Sequence, residues 1–220
     1  AAKGDVRLSL YRKRLKAPLP GEAPLPALVL VHGSSISARP SFDLGVPGAG
    51  EYSIMNVFAR YGYDCWAMDF EGYGRSTATD GNSDIKSGGE ERKADYSVIA
   101  KETGRQQFHF WGESSGALRA AAYASAAPDH VDRLVLGAFT YTGKGSPTLA
   151  DRAKQVAFYR SHNRRPRDAA MIRSIFTRDK PGTSDPRVAE ALVKAELAFG
   201  NTVPTGTYLD MSANLPVVDP

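Results

Sequence analysis

Only one cysteine, Cys65, occurs among the 220 residues, so no internal disulfide can form. It lies in the apolar run CWAMDF, which reads as a buried and inert thiol. This cysteine usage points to a reducing compartment, and the expected location is cytoplasmic. Long hydrophobic runs are missing too: nothing approaches the ~18 apolar residues of a membrane span. The opening AAKGDVRLSLYRKRLKAP lacks the apolar centre of a secretory signal, although a signal already removed would leave the same sequence. Neither sign of charge dominates, since 28 Lys and Arg stand against 24 Asp and Glu, a net +4. That field is too weak to imply a nucleic-acid partner. The densest basic runs, Arg12-Lys13-Arg14 with Lys16 and Arg164-Arg165 with Arg167, read as solvated faces. Repeats and low-complexity tracts are absent as well. A hydrophobic fraction of 42% with 24% charged residues is that of an ordinary soluble globular chain. The length suits one large core with an inserted or appended subdomain.

What is present is an alternation. DVRLSLYRKRL alternates apolar and polar residues like a half-exposed strand, and four prolines in LKAPLPGEAPLP end it before ALVLVHG begins. ALVLV is a continuous apolar run, as in a strand buried on both faces of a parallel sheet. EYSIMNVFARY spaces Ile54, Val57, Phe58 and Tyr61 for a helix facing the sheet. YDCWAMDF reads as a strand, SGGEERKADYSVIAKETG as a helix closed by Gly104, QQFHFWG as a strand, SGALRAAAYASAA as a helix and VDRLVLGAFTY as a strand. Such alternation predicts an α/β fold, a mostly parallel sheet flanked by helices, with ligands at the carboxyl ends of the strands. After Tyr141 the pattern offers three or four helices and no strand, around TLADRAKQVAFYRSH, PRDAAMIRSIFTR and DPRVAEALVKAELAFG. The predicted organisation is a core over 1–142, a helical cap over 143–214 and a return toward the core over 215–220.

Gly112-Glu113-Ser114-Ser115-Gly116 matches G-x-S-x-G, with an apolar strand entering and an alanine-rich helix leaving. Gly112 and Gly116 are required because strand and helix crowd a serine on so sharp a turn. The hydroxyl of Ser114 is thereby presented at a helix N-terminus, where developing negative charge is favoured. Acyl transfer also needs oxyanion donors. One is expected from the Ser115 amide, and the second from the Ser34 amide, in the turn His32-Gly33-Ser34-Ser35, where Gly33 lets the backbone approach the nucleophile. His32 reads as a structural residue of that turn. Rival glycine motifs fail: GYGRST from Gly72 lacks the third glycine of a dinucleotide fingerprint. GKGS at Gly143 has Ala138 and Gly145 where a phosphate loop needs Gly and Ser or Thr.

A third element, MDFEGYGRS, has Asp69, Gly72, Gly74 and Ser76 after the next strand. With HGSS and GESSG in the same order, the chain resembles the α/β-hydrolase superfamily, specifically its serine esterase and lipase-like members with a helical cap. The resemblance covers roughly Val6 to Tyr141 and reaches the cap only in type. It implies Ser114 as nucleophile, the Ser34 and Ser115 amides as oxyanion hole, and the D-x-x-G-x-G-x-S element as a scaffold turn. A haloalkane dehalogenase or epoxide hydrolase of this fold would carry Asp in place of Ser114, and a dienelactone-type enzyme Cys. Glu113 is similar to the GES of serine carboxypeptidases and reads as support for the turn.

On such a fold the triad order is Ser, then Asp or Glu, then His. His32 and His109 precede Ser114, His130 lies at the opposite end of the sheet, and His162 sits in the cap. The triad acid and histidine are therefore expected outside this chain, supplied by a C-terminal segment or a second chain docking beside LVLGAFTY. Without it the sheet would end at its sixth strand with an open apolar edge. The expected activity is hydrolysis of a small-molecule or polymeric carboxylic ester, including aliphatic polyesters, through an acyl-enzyme on Ser114, with no cofactor and no metal. Phe158, Tyr159, Met171, Ile172, Ile175, Phe176, Leu197, Phe199, Tyr208 and Met211 could line an acyl pocket or simply pack the cap. The alternatives are an acyltransferase or C–C hydrolase using the same serine, or a non-catalytic binding protein of this fold.

Overall fold

The computed structural model describes residues 1–177 and 180–213, so the expected return over 215–220 lies outside the described residues. A small antiparallel ribbon, β1 (Ala2–Lys3) and β2 (Val6–Arg7), precedes β3 (Leu10–Lys13). DVRLSLYRKRL is thus two pieces rather than one strand. The break falls where Ser9 N–H donates to Ser76 Oγ and Thr77 N–H to Arg7 O, so the turn carrying Ser76 and Thr77 captures the backbone. β4 (Ala27–Val31) is buried at every residue. Two short helices follow, α1 (Ala38–Phe42) and α2 (Ile54–Arg60), the latter capped by the Ser53 side chain. In α2 the buried residues are Met55 and Ala59, while Tyr61, expected to face the sheet, is 73% exposed. Ile54 and Phe58, also expected on that face, do pack with Met55 against Cys65 and Ala67 of β5 (Asp64–Met68).

α3 (Ile85–Thr103) starts at the Asp84 cap and ends at Gly104 with φ +71°, as Gly104 predicts. Then come β6 (Phe108–Glu113), α4 (Ser115–Ala126), a 3₁₀ turn over Pro128–His130, and β7 (Val131–Gly137). The main sheet has the order β3-β5-β4-β6-β7, with β3 antiparallel and the rest parallel. β7 is therefore the fifth strand of the main sheet in chain order, not the sixth. It lies at the edge, with Asp132, Arg133 and Val135 exposed. It also stops at Gly137, short of Tyr141, as Ala138 turns the chain with φ +49°.

The helical layer holds α5 (Pro147–Ala153), α6 (Val156–Ser161), α7 (Ala169–Thr177), α8 (Pro186–Leu197) and α9 (Gly206–Ala213). Contrary to the all-helical expectation, it includes an antiparallel ribbon of β8 (Arg164–Pro166) and β9 (Thr202–Pro204). Three-residue strands that each end in proline carry no period-2 pattern to read. The layer is sewn to the sheet: Tyr159, Val203 and Tyr208 join one buried cluster with Val29 and Phe110, and Leu192 and Ile172 pack on Leu44. Residues from both sides of the expected boundary between 142 and 143 thus share one buried cluster. Among the described residues no helix is long and apolar enough to cross a membrane.

Candidate active site

β6, between β4 and the edge strand β7, turns into α4 within one residue. That residue, Ser114, has φ +56° and ψ −122°, a conformation a side chain rarely adopts and one that persists only where the surroundings enforce it. Ser114 N–H donates to Gly137 O on β7, and Ala117 N–H returns to Ser114 O. A Cβ on Gly112 would lie 2.4 Å from Gly116 O, and one on Gly116 would lie 2.1 Å from Val31 O. Both glycines are thus dictated by backbone from the facing helix or strand. Serine at a helix N-cap commonly spends its hydroxyl on an amide of the first turn. Here Ser114 makes no such bond, and among the described residues Oγ has no hydrogen-bond partner. It faces a cavity of about 320 Å³ instead.

The turn after β4 forms the adjacent wall. A Cβ on Gly33 would sit 3.2 Å from Ser114 Cβ, which shows how near the two backbones come. Ser34 Oγ donates to Ser115 Oγ at 2.8 Å and accepts from Thr207 Oγ1 at 2.8 Å. Tyr73 Oη donates to Ser34 O, and Tyr208 Oη is bonded to Ser35 Oγ. Thr207 and Tyr208 on α9 thus clamp this turn from a sequence distance of over 170 residues. Local sequence gave no sign of Thr207, and Tyr208 read only as an apolar lining residue. Downstream, Ser37 N–H and Oγ both donate to Glu196, which also pairs with Arg167. Burial raises the Glu196 carboxyl above its usual range, with Arg167 opposing.

His32 is structural, as expected. It is fully buried, its Nε2 accepts from Phe70 N–H, and its Nδ1 therefore donates to Gly33 O. Burial, reinforced by the nearby Arg119 charge, pulls its pKa down to about 3. The scaffold turn is equally clear. Asp69 accepts from Ala38 N–H, Arg75 N–H and Tyr11 Oη, and a Cβ on Gly74 would strike its carboxylate at 2.1 Å. Glu113 borders the Ser114 cavity, and burial raises its carboxyl. Cys65 is buried, its thiol pushed up to about 12 by burial.

The other histidines are engaged elsewhere. His109 faces Asp132 at 3.3 Å, His130 bonds Tyr123 Oη and stacks on Tyr96, and His162 stacks on Phe158. None is hydrogen-bonded to Ser114 among the described residues. Of the apolar cap residues, Ile175 and Phe176 border the Ser114 cavity, joined by Ile36, Leu44, Tyr52, Val188 and Leu192, which the sequence did not single out. Tyr159, Met171 and Tyr208 border the chamber beside it. Ile172, Leu197 and Met211 pack the layer, the blander of the two roles. Among the described residues no group of three or more His, Cys, Asp or Glu could hold a metal ion.

Residues 26–170 match a family model described as alpha/beta hydrolase fold. Among solved structures, a hydrolase from Pseudomonas aeruginosa PA01 is 17% identical with a TM-score of 0.60, over 99% of this chain and 71% of that one. A structure from work on carboxylesterases of the Thaumarchaeon Nitrososphaera gargenis is 14% identical with a TM-score of 0.62, over 100% and 72%. The monoacylglycerol lipase of Paleococcus ferrophilus is 17% identical with a TM-score of 0.58, over 94% and 70%. At such identities the likeness speaks for the fold alone. A search of curated proteins found no match.

Proposed function

Since the chain belongs to the alpha/beta hydrolase fold family, we propose that it hydrolyses carboxylic esters through an acyl-enzyme on Ser114. The observation carrying this reading is Ser114 itself, held at φ +56° with its hydroxyl unused for capping and turned to a cavity. Ser114 Oγ attacks the acyl carbon and its proton passes to a base. The tetrahedral oxyanion is held by the Ser34 and Ser115 amides, the alcohol leaves, and water releases the acid. The hydrogen bond between the Ser34 and Ser115 side chains supports this pairing, because it ties the two donor-bearing turns together. The apolar wall from Leu44 to Leu192 suits an aliphatic acyl or alcohol group. Because all four histidines are engaged away from Ser114, the base and its acid partner belong, in this reading, to a segment or second chain outside the described residues. The reaction requires no cofactor, and the buried thiol of Cys65 accords with a cytoplasmic setting.

The engagement of the histidines also favours a second reading, a non-catalytic binding protein of this fold. One experiment separates the two. A fluorophosphonate probe should label Ser114 in the full-length protein, and Ser114→Ala should remove the labelling and lower esterase kcat ~10³-fold or more. Equal labelling of wild type and variant would reject Ser114, and no labelling of either would favour the binding role.

A further inference from the structure

Two hollows adjoin the seam between α1 and α8. One is the cavity of about 320 Å³ at Ser114, and the other is a groove of about 630 Å³ bordered by Arg39, Asp43, Ala191, Ala195 and Ala198. Pro40 and Leu44, both buried, border the two hollows alike and so form the wall between them. Helical geometry divides α8 in the same way. Val188 and Leu192, one turn apart, border the Ser114 cavity, whereas Ala191 and Ala195, also one turn apart, border the groove. Leu44 is held in place by packing in one buried cluster with Ile172, Val188 and Leu192.

We propose that Leu44 is a specificity-determining residue that limits acyl-chain length, so that the ester accepted at Ser114 carries a straight aliphatic acyl group of short to medium length; this rests on the reading of Ser114 as nucleophile. The acyl group stays on the serine through the covalent step, whereas the alcohol must depart and water must enter. A chamber that begins at Ser114 and stops at an apolar wall therefore suits the acyl part. Ile36, Ile175, Phe176, Val188 and Leu192 give that chamber apolar sides along which a hydrocarbon chain can lie. Its volume is at the small end of the roughly 300–1,000 Å³ typical of ligand cavities. Each methylene that finds apolar surface gains up to about fourfold in affinity. A methylene that meets the Leu44 side chain gains nothing, because a packed wall resists overfilling. The alanine-lined groove beyond offers further apolar space, and the isobutyl group of Leu44 stands between it and the chain.

The test uses full-length protein carrying Ser114→Ala, which cannot turn an ester over, titrated by NMR with the methyl esters of butanoic, hexanoic, octanoic and decanoic acids. Affinity is expected to climb by up to about fourfold per methylene and then to level off or fall before decanoate. Leu44→Ala, which trims the wall, should carry the climb on through decanoate and raise the decanoate-to-butanoate affinity ratio ~10-fold or more. Ala195→Phe fills the groove instead. Alone it should leave the profile unchanged, and added to Leu44→Ala it should bring the break back. A climb without a break in the Ser114→Ala protein, no saturable binding of any ester, or the same break in Leu44→Ala overturns the proposal. The break in the parent needs no wall variant, and Leu44→Val supplies a milder trim if the alanine form does not fold. Fluorophosphonate labelling tests Ser114 separately: a break that moves with Leu44 in a protein that is never labelled would reject the nucleophile and leave the wall standing.

Discussion

At the scale of single residues, His32 and Ser114 are neighbours across one turn with opposite chemical fates. His32 is sealed beneath the turn, sandwiched near Phe70 and Tyr73 with ring centroids 5.0 and 4.7 Å away. Its folded pKa of about 3 lies below the ordinary 6.5. Between those values the unfolded chain binds a proton that the native chain does not. The contribution of His32 to stability is therefore complete above pH 6.5 and is lost as pH falls toward 3, at on the order of 1 kcal/mol per pH unit. Burial raises the carboxyls of Asp69 and Glu196, whose contributions run the other way. The direct check is the imidazole nitrogen spectrum of His32, expected to show a neutral ring with its proton on Nδ1 down to pH 5. A titration centred near 6.5 would mean that the ring is not sealed in.

At the scale of elements, the site is a meeting of two turns, one after β4 and one after β6, fixed by α9. Backbone position and side-chain anchoring are separable there. Gly33→Val places a methyl-bearing carbon 3.2 Å from Glu113 O and Ser114 Cβ, so one turn must retreat. Labelling of Ser114 is then expected to slow on the order of 10²-fold. Ser34→Ala keeps the backbone but loses the hydrogen bonds with Ser115 and Thr207. It should cost about 1–3 kcal/mol of stability with a smaller effect on labelling rate. Thermal unfolding and labelling kinetics on both variants check the contrast. If Ser34→Ala abolished reaction while the protein stayed folded, the hydroxyl would take part directly.

At the scale of the whole molecule, the sheet presents β7 at its edge, partly guarded by the charges of Asp132 and Arg133. The cavity meanwhile is bordered by Ser114, to which no histidine is hydrogen-bonded among the described residues. A polypeptide of these 220 residues alone, shown to be folded, should therefore hydrolyse a short-chain p-nitrophenyl ester far more slowly than a form carrying an added segment with the acid and histidine. Full activity of the short form would require one of His32, His109, His130 or His162 to leave its partners and reach Ser114.

GESSG with an apolar strand before it and an alanine-rich helix after it was legible because the constraint is local: strand, turn and helix all lie within twenty residues. ALVLV and YDCWAMDF were legible because strands buried on both faces must be apolar throughout. The exposure of Tyr61 and the burial of Met55 were not, since Met55 packs on Cys65 and Ala67 of β5, partners that no periodicity names. The β8–β9 ribbon was hidden because its two halves are separated by α7 and α8, and pairing energy between distant segments leaves no local pattern. The same holds for Thr207 and Tyr208 on the Ser34 turn, and for Leu44 packing with Val188 and Leu192. The position of Ser114 on its turn was thus determined by sequence, where backbone crowding demands Gly112 and Gly116. What surrounds its cavity was decided by tertiary packing, because side chains from α5, β8 and α9 become neighbours only when the helical layer closes on the sheet.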